Sequence, residues 1–200
     1  MGTLLQLINN IFYIKIVVLD KIIEMKLNEI DKKNKIIVFL ISVLILSQFR
    51  LIDHPWNFTP VIAFGILAGY YLKNVFYGYA LIILSMILGD LIIGFHNLIF
   101  FTYLGLLFSV VIGKYIQQLK IKQIFLSSIA SAVIFFVISN FGVWLLGGFY
   151  ELTLQDLVKC YVVAIPFFRS TLISTIIFTI VFKTALDQLK LDPAVIKRKI

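Results

Sequence analysis

The sequence predicts an all-α polytopic membrane protein with six transmembrane helices and both termini on the cytoplasmic side. Of its 200 residues, 61% are hydrophobic and 14% are charged, whereas soluble domains have roughly 45–50% apolar and about 25% charged residues. A soluble fold of this length has too little interior to bury so much apolar surface. In addition, six apolar runs follow one another with short connections, and the basic residues collect in alternate connections.

The six runs are the predicted membrane spans. They cover residues 35–51, 58–72, 78–94, 98–116, 124–146 and 161–182. A helix needs about 20 apolar residues to cross roughly 30 Å of hydrocarbon, so the last three runs are long enough by themselves. The first two are short and depend on Arg50, which can reach the interface after the first run, and on Trp56, which suits the interface before the second.

The orientation follows from the Lys and Arg residues, which favour cytoplasmic loops. With both termini inside, fifteen of the 18 basic residues lie on the inner side, and only Arg50, Lys159 and Arg169 lie on the outer side. We therefore predict a multi-pass protein of the inner cell membrane. The basic inner loops match anionic lipids at the inner face, which accounts for most of the net charge of +8 without any ligand.

Three regions are expected along the chain. Residues 1–34 form an N-terminal cytoplasmic or interfacial segment, residues 35–183 the six-helix transmembrane domain, and residues 184–200 a basic cytoplasmic tail. The stretch 3–19 is apolar but interrupted by Gln6, Asn9, Asn10 and Lys15, which is typical of an amphipathic helix in the membrane interface. Alternatively, the biological start is Met25 and the preceding residues are dispensable.

Unusual polar and aromatic residues gather at the outer ends of the spans, as in DHPWNFTP (residues 53–60) and GDLIIGFHN (residues 89–97). This shared depth indicates an outward-facing pocket. The candidate substrate-binding residues are His54, Trp56, Asn57, Asp90, His96, Asn97, Asn140, Trp144 and Arg169. A simpler interpretation is that the loop residues only meet water.

Asp90 and Arg169 are the strongest indication, because each lies inside an apolar run. A charge within a span costs about 2.5–3.5 kcal/mol on insertion scales, so such a residue normally faces a partner or a water-filled cavity. Either the two form an ion pair that locks the bundle, or one or both charges line a pocket. Asn140 is equally compatible with an interhelical hydrogen bond and a ligand contact, and Trp144 with an interfacial belt.

In the pocket interpretation each residue type has a role. Arg169 would bind a carboxylate or phosphate, and Asp90 would orient Arg169 or accept a hydrogen bond from the ligand. Trp56 and Trp144 would pack on a ring. The polar edges of the ligand would be bound by His54, Asn57, His96 and Asn140. The geometric prediction is that Asp90, Asn140 and Arg169 converge beneath the hairpin at residues 54–57.

Several kinds of chemistry have no signature in the chain. Neither a metal-binding motif nor a nucleotide loop or serine-hydrolase motif occurs, so we expect no cofactor and no catalytic residues. The single Cys160 excludes an internal disulfide. The basic residues are not interleaved on one soluble face, which argues against nucleic acid as a partner.

Four segments resemble an uncharacterised family of small bacterial membrane proteins. They are RLIDHPWNFTP (residues 50–60), GDLIIGFH (89–96), SNFGVW (139–144) and PFFRST (166–171). In size and layout the chain also resembles, more distantly, the substrate-binding (S) components of energy-coupling-factor vitamin transporters. That resemblance implies a vitamin or metal ligand, a lid at the first outer loop, and a membrane coupling protein with two ATPase subunits. In that class small residues on the first helix dock the coupling protein; here residues 36–49 contain no alanine, and Ala63, Gly65 and Gly69 of the second span are the alternative.

The predicted function is a membrane-embedded substrate-binding component for uptake of a small polar or aromatic, vitamin-like molecule. Two alternatives remain open at this point. A non-catalytic membrane subunit would dock partner proteins through its outer polar patch and basic loops. An intramembrane enzyme would use His54 or His96 as a base.

Overall fold

The computed structural model describes residues 40–51, 56–72 and 74–188. By contacts the chain divides into a first unit, Met1–Ser42, and a second, Val43–Ile200. Only residues 40–42 of the first unit are described, and the architecture and sites below belong to the second. The predicted segment 1–34, His54 and residues 189–200 of the predicted tail lie outside the described residues.

All seven helices of the described residues are α-helices, which confirms the all-α prediction. They are α1 (Leu40–Phe49), α2 (Val61–Tyr71), α3 (Val75–Ile93), α4 (Ile99–Lys114), α5 (Ile121–Leu146), α6 (Leu154–Val163) and α7 (Ile165–Gln188). By length and composition α3, α5 and residues Ile165–Ala185 of α7 are suited to cross a membrane, whereas α1, α2 and α4 are shorter apolar helices. Each of these six helices overlaps one of the six predicted runs, and together they indicate a multi-pass membrane protein.

Local signals in the sequence mark several helix ends. The Asn74 side chain accepts a hydrogen bond from the backbone N–H of Phe76 and caps α3. Thr153 caps α6 in the same way by accepting from the N–H of Asp156. Gly94 ends α3 at φ 107°, in the left-handed region that favours glycine.

The predicted sixth span, 161–182, does not start where expected. Residues up to Val163 belong to the separate short helix α6, and a new helix begins at Ile165. Pro166 explains the break, because it stands in the first turn of α7, where its missing N–H has no intrahelical partner to lose. At its other end α7 extends to Gln188, five residues into the predicted tail.

Helix α2 lies at the centre of the second unit. It packs against α3, α4, α5 and α7, and its first turns are buried on every side, as expected for a helix that is apolar all round. Glycines bring it close to α4: a Cβ atom on Gly69 would overlap the carbonyl oxygen of Val110, and one on Gly113 would overlap that of Ile66.

This packing corrects one expectation about partners. Ala63 is fully buried, and Gly65 and Gly69 are buried against α4. These three residues therefore hold the bundle together and are not exposed for docking a coupling protein.

Candidate functional site

Asp90 forms the centre of a buried ionic network. Its carboxylate is fully buried on α3, where Oδ1 accepts a hydrogen bond from Arg50 Nη2 at 2.6 Å and Oδ2 accepts one from Tyr103 Oη at 2.6 Å. Arg50 also donates through Nη1 to the carbonyl oxygen of Met86 at 2.9 Å. Both carboxylate oxygens thus have a donor, and the two charges neutralise each other in a setting where an unpaired charge would be costly.

The Asp90–Arg169 ion pair, one of the two alternatives that the sequence left open, does not form. Arg50 from the end of α1 makes the ion pair, and its side chain is only 16% exposed, so it does not extend to the interface. Arg169 lies exposed on α7, and no hydrogen bond or ion pair joins its side chain to another residue that the structure describes. Asp90 and Arg169 do not meet, and the Asp90 network ties α1, α3 and α4 together.

A cavity of about 340 Å³ lies elsewhere in the second unit, and we call it the Trp56 cavity. Its lining residues are Trp56, Asn57, Thr102, Phe135, Phe136, Ser139, Asn140, Val143, Tyr150, Cys160, Val163, Ala164, Phe167, Phe168 and Thr171. The wall is thus built from α4, α5, α6, α7 and the segment before α2. Aromatic rings cover much of it, with hydroxyl and amide groups between them.

The segment before α2 forms one rim of the Trp56 cavity. The indole of Trp56 is 78% exposed, and its ring lies 5.6 Å from that of Phe167. Asn57 adopts φ 58°, a left-handed conformation that asparagine tolerates better than most residues. This turn directs the chain from Trp56 towards α2, so the aromatic ring stays beside the cavity. Deeper in, Phe136 packs against both Tyr161 and Phe168, with ring centroids 5.5 and 5.0 Å apart.

The polar groups of the Trp56 cavity are mostly committed as donors to their own helices. Ser139 Oγ donates to the carbonyl oxygen of Phe135 at 2.6 Å, and Thr171 Oγ1 to that of Phe167 at 2.9 Å. The Asn140 amide nitrogen donates to the carbonyl oxygen of Phe136 at 2.8 Å. The hydroxyl lone pairs and the Asn140 side-chain oxygen are left as acceptors, so the wall suits a ligand that donates hydrogen bonds.

Charged side chains do not line the Trp56 cavity in the part of the chain that the structure describes. The titratable groups there are Cys160 and Tyr150. Tyr150 lies in the connection between α5 and α6, where burial, then the nearby Cys160 and the Asp156 carboxylate, raise the pKa of its phenol. The phenol therefore stays neutral to a higher pH than usual, and it presents a hydroxyl, not a charge.

Eight of the nine candidate residues are described by the structure, and these eight fall into three groups. Trp56, Asn57 and Asn140 line the Trp56 cavity, whereas Asp90 belongs to the ionic network. Four others lie at helix ends or on exposed faces away from the cavity wall: His96, Asn97, Trp144 and Arg169. His54 lies outside the described residues. Asp90, Asn140 and Arg169 therefore do not converge on one site, contrary to the geometric prediction. Whether each candidate residue contacts a ligand remains a prediction.

Two of the four candidate residues that lie away from the cavity wall have structural partners. The His96 Nδ1 atom accepts a hydrogen bond from the backbone N–H of Leu98 at 3.1 Å, which satisfies a donor at the start of α4. Trp144 donates through Nε1 to the carbonyl oxygen of Glu151 at 3.0 Å and packs on Phe141. Both interactions stabilise helix ends.

Sequence reasoning missed most of the cavity wall. Phe135, Phe136 and Ser139 stand next to Asn140 on α5, and Thr171 follows Arg169 by two residues. The available signal was the helical spacing of Phe136 and Asn140, which places their side chains one turn apart on the same face. Arg50 was also missed as a network member, although it is one of only three basic residues that the predicted topology puts on the outer side.

Residues 30–195 match the model of a family of unknown function, DUF6580, and the chain therefore belongs to that family. Neither a curated protein nor a solved structure matches the chain.

Proposed function

We propose that this member of DUF6580 is a membrane-embedded, non-enzymatic binding component for uptake of a small, uncharged aromatic or polar molecule. The observation that carries the proposal is the Trp56 cavity, which combines aromatic walls, hydrogen-bond acceptors and an absence of charged lining residues among the described residues. The class of ligand is vitamin-like in size and polarity, as the distant resemblance to vitamin-transporter S components also suggests.

The dimensions of the cavity support this class of ligand. Pockets for small molecules usually have volumes of about 300–1,000 Å³ and mostly apolar walls with a few placed polar groups, and about 340 Å³ lies at the small end of that range. Trp56 and Phe167 offer faces on which a planar ring can stack. A carboxylate or phosphate is a poor fit because Arg169 lies outside the lining, so the ligand expected here is neutral.

Uptake is proposed from the topology. The positive-inside distribution places the connection before α2 on the outer side, and Trp56 and Asn57 of that connection form the rim. The proposal includes six transmembrane crossings of the inner cell membrane, with both chain termini on the cytoplasmic side. A coupling protein with ATPase subunits would have to contact a surface other than Ala63, Gly65 and Gly69, because these are buried.

The proposal is tested by native mass spectrometry of the full chain released from detergent. We expect a retained small molecule on the native protein and its loss from Asn140→Leu, which removes the acceptor from the cavity wall. Asn97→Leu is the matched control, because it makes the same change at an exposed asparagine away from the cavity; it should keep the ligand.

Two results would contradict the proposal. One is a native chain that carries no small molecule after mild extraction. The other is a ligand that survives both Asn140→Leu and Ser139→Phe, since the second substitution fills the cavity with a ring. Once the retained compound is identified, its uptake by cells with and without the protein tests the transport role.

Binding should depend little on pH. The described residues of the Trp56 cavity present hydroxyls, two amides, a thiol and a phenol whose pKa is raised, so none of these lining groups is expected to change charge between about pH 5.5 and 7.5. Ligand retention should therefore stay constant across this range, in the native chain and in His96→Ala alike. A loss of retention within this pH range that is absent from His96→Ala would contradict the expectation and would show that this imidazole contacts the ligand.

A further inference from the structure

A groove lies where α4 ends and α5 begins, at the end of the bundle that the predicted topology puts on the inner side. It has a volume of about 400 Å³, and we call it the Gln123 groove. Its lining residues are Ile112, Tyr115, Ile116, Gln117, Gln123, Leu126, Ser127 and Ala130. None of these residues lines the Trp56 cavity. The groove is therefore a separate feature, and its role does not depend on the proposed binding function.

The Gln123 groove changes from polar to apolar along α5. Gln123 stands in the first turn of the helix, and Leu126 and Ala130 follow three and seven residues later on the same face. At 1.5 Å per residue Ala130 lies about 10 Å beyond Gln123. Leu126 is 56% exposed, and Ala130 is exposed as well, so the apolar part opens sideways to the surroundings of the helix. A phospholipid in the inner leaflet has the same order, with a polar headgroup above apolar chains.

The mouth of the Gln123 groove is positively charged. Lys114 ends α4, and Lys120 and Lys122 stand at the start of α5; all three are exposed. The sequence has no Asp or Glu between Asp90 and Glu151. Neither Lys120 nor Lys122 forms an ion pair with another residue that the structure describes. The start of α5 adds the positive end of the helix dipole, so the mouth is complementary to an anion.

Gln123 supplies a hydrogen-bond acceptor that lacks a donor. Its Oε1 atom is buried, and no residue that the structure describes donates to it. An unsatisfied polar atom in a membrane protein is costly, so this atom indicates a donor that comes from outside the described chain. A headgroup that carries both a phosphate and hydroxyls would meet the lysines with the first and Gln123 with the second.

From these observations we propose that the Gln123 groove binds an anionic phospholipid of the inner leaflet whose headgroup carries hydroxyls. The lipid phosphate lies beside Lys120 and Lys122, a headgroup hydroxyl donates to Gln123 Oε1, and an acyl chain lies against Leu126 and Ala130. The chain's own residues 189–200 are a poorer occupant, because they contain four basic residues and one acidic residue and would be repelled by the lysines of the mouth.

The proposal is tested by native mass spectrometry of the full chain in detergent with added dioleoyl-phosphatidylglycerol or dioleoyl-phosphatidylcholine. The two lipids have the same acyl chains, but only the first has a net negative charge and headgroup hydroxyls. We expect the native chain to bind phosphatidylglycerol in preference. Lys120→Gln with Lys122→Gln should weaken its binding at least about tenfold, because each basic residue near an anionic surface strengthens the attraction about fivefold.

A matched control tests whether the position of the charge matters. Lys159→Gln with Arg169→Gln also removes two exposed cations, but from the side that the predicted topology puts outside. This double variant should bind phosphatidylglycerol as the native chain does.

Two further pairs of variants test the groove itself. Ala130→Phe places a ring in its apolar part and should abolish phosphatidylglycerol binding, whereas Val133→Phe adds a ring at an exposed position of α5 outside both lining sets and should preserve it. Gln123→Leu removes the acceptor and should weaken binding, whereas Gln118→Leu, at an exposed position outside the lining, should not. Size-exclusion chromatography and thermal denaturation identify the variants that still fold.

Three results would overturn the lipid site. They are equal binding of the two lipids by the native chain, equal losses in the two double-charge variants, and undiminished phosphatidylglycerol binding by Ala130→Phe. The mass of the retained species separates this inference from the proposed function. A native chain that binds phosphatidylglycerol as expected but retains no ligand sensitive to Asn140→Leu contradicts only the proposed function. The reverse result contradicts only the lipid site.

Discussion

Replacing Arg50 by alanine is expected to lower the free energy of unfolding by about 3–5 kcal/mol, because it leaves the Asp90 carboxylate buried without its counter-charge. Asp90 is fully buried on α3, and its Oδ1 atom has Arg50 Nη2 as its donor at 2.6 Å. Tyr103 alone would remain beside the carboxylate. The change is measured by chemical denaturation of the purified protein in micelles.

Arg169→Ala is the matched control for this substitution. It removes the same side chain from an exposed position of α7, and it should change stability by less than about 0.5 kcal/mol. The double substitution Arg50→Gln with Asp90→Asn removes both charges and keeps an acceptor for Tyr103, so it should recover much of the loss. Equal effects of Arg50→Ala and Arg169→Ala would contradict the role given to the ion pair.

The second large effect is expected from Gly69→Ala on α2. A single Cβ atom there would overlap the carbonyl oxygen of Val110 and come within 2.8 Å of the backbone nitrogen of Lys114. Backbone atoms cannot rotate away as a side chain can, so the two helices must separate. Overpacking typically costs about 1–3 kcal/mol, and we expect a value at or above the upper end. Gly113→Ala should behave alike, because its Cβ would overlap the carbonyl oxygen of Ile66.

Ala185→Leu serves as the control for added volume. It adds more carbon than Gly69→Ala does, but at an exposed position of α7, and its thermal midpoint should remain that of the native chain. A Gly69→Ala variant with an unchanged midpoint would mean that α2 and α4 can repack without cost, contrary to the close approach of their backbones.

The helices could be predicted from the sequence because each apolar run is continuous and bounded by polar connections, so burial and hydrogen bonding in lipid leave few alternatives. The break at Ala164 was harder to predict. The residues on both sides of it are apolar, and a hydropathy profile does not reveal a change of helix axis. A proline can stand in the first turn of a helix or kink its interior, and which of these applies to Pro166 depends on the helix start, which composition does not fix.

The partner of Asp90 shows where sequence reasoning fails. Depth along a helix indicated that Asp90 and Arg169 were compatible, but the angular position of each residue around the bundle depends on how the helices pack. Arg50 was interpreted as an interfacial residue because it follows an apolar run, whereas the structure turns its side chain inward to Asp90. One-dimensional patterns give the depth of a charge and leave its direction open.

The candidate site could be predicted only in part, again because the sequence does not give the direction in which a side chain points. Trp56, Asn57 and Asn140 stood out as polar or aromatic residues among aliphatic ones, and the structure places all three on one cavity. Phe135, Phe136 and Phe168 did not stand out, because Phe is abundant in this chain, with 19 copies. Their role depends on which rings face a space, and this information resides in the packing.

Among the described residues the wall of the Trp56 cavity is uncharged, and for the proposed uptake this has a consequence for energetics at the level of the cell. Moving one elementary charge through a membrane potential is worth about 2.3 kcal/mol per 100 mV, but a neutral ligand carried past neutral groups displaces no charge. The resting voltage of the cell can then neither drive nor oppose the step. The ligand's own concentration gradient would drive its entry only until the two sides are equal, and accumulation beyond that point would need metabolic trapping or a separate motor.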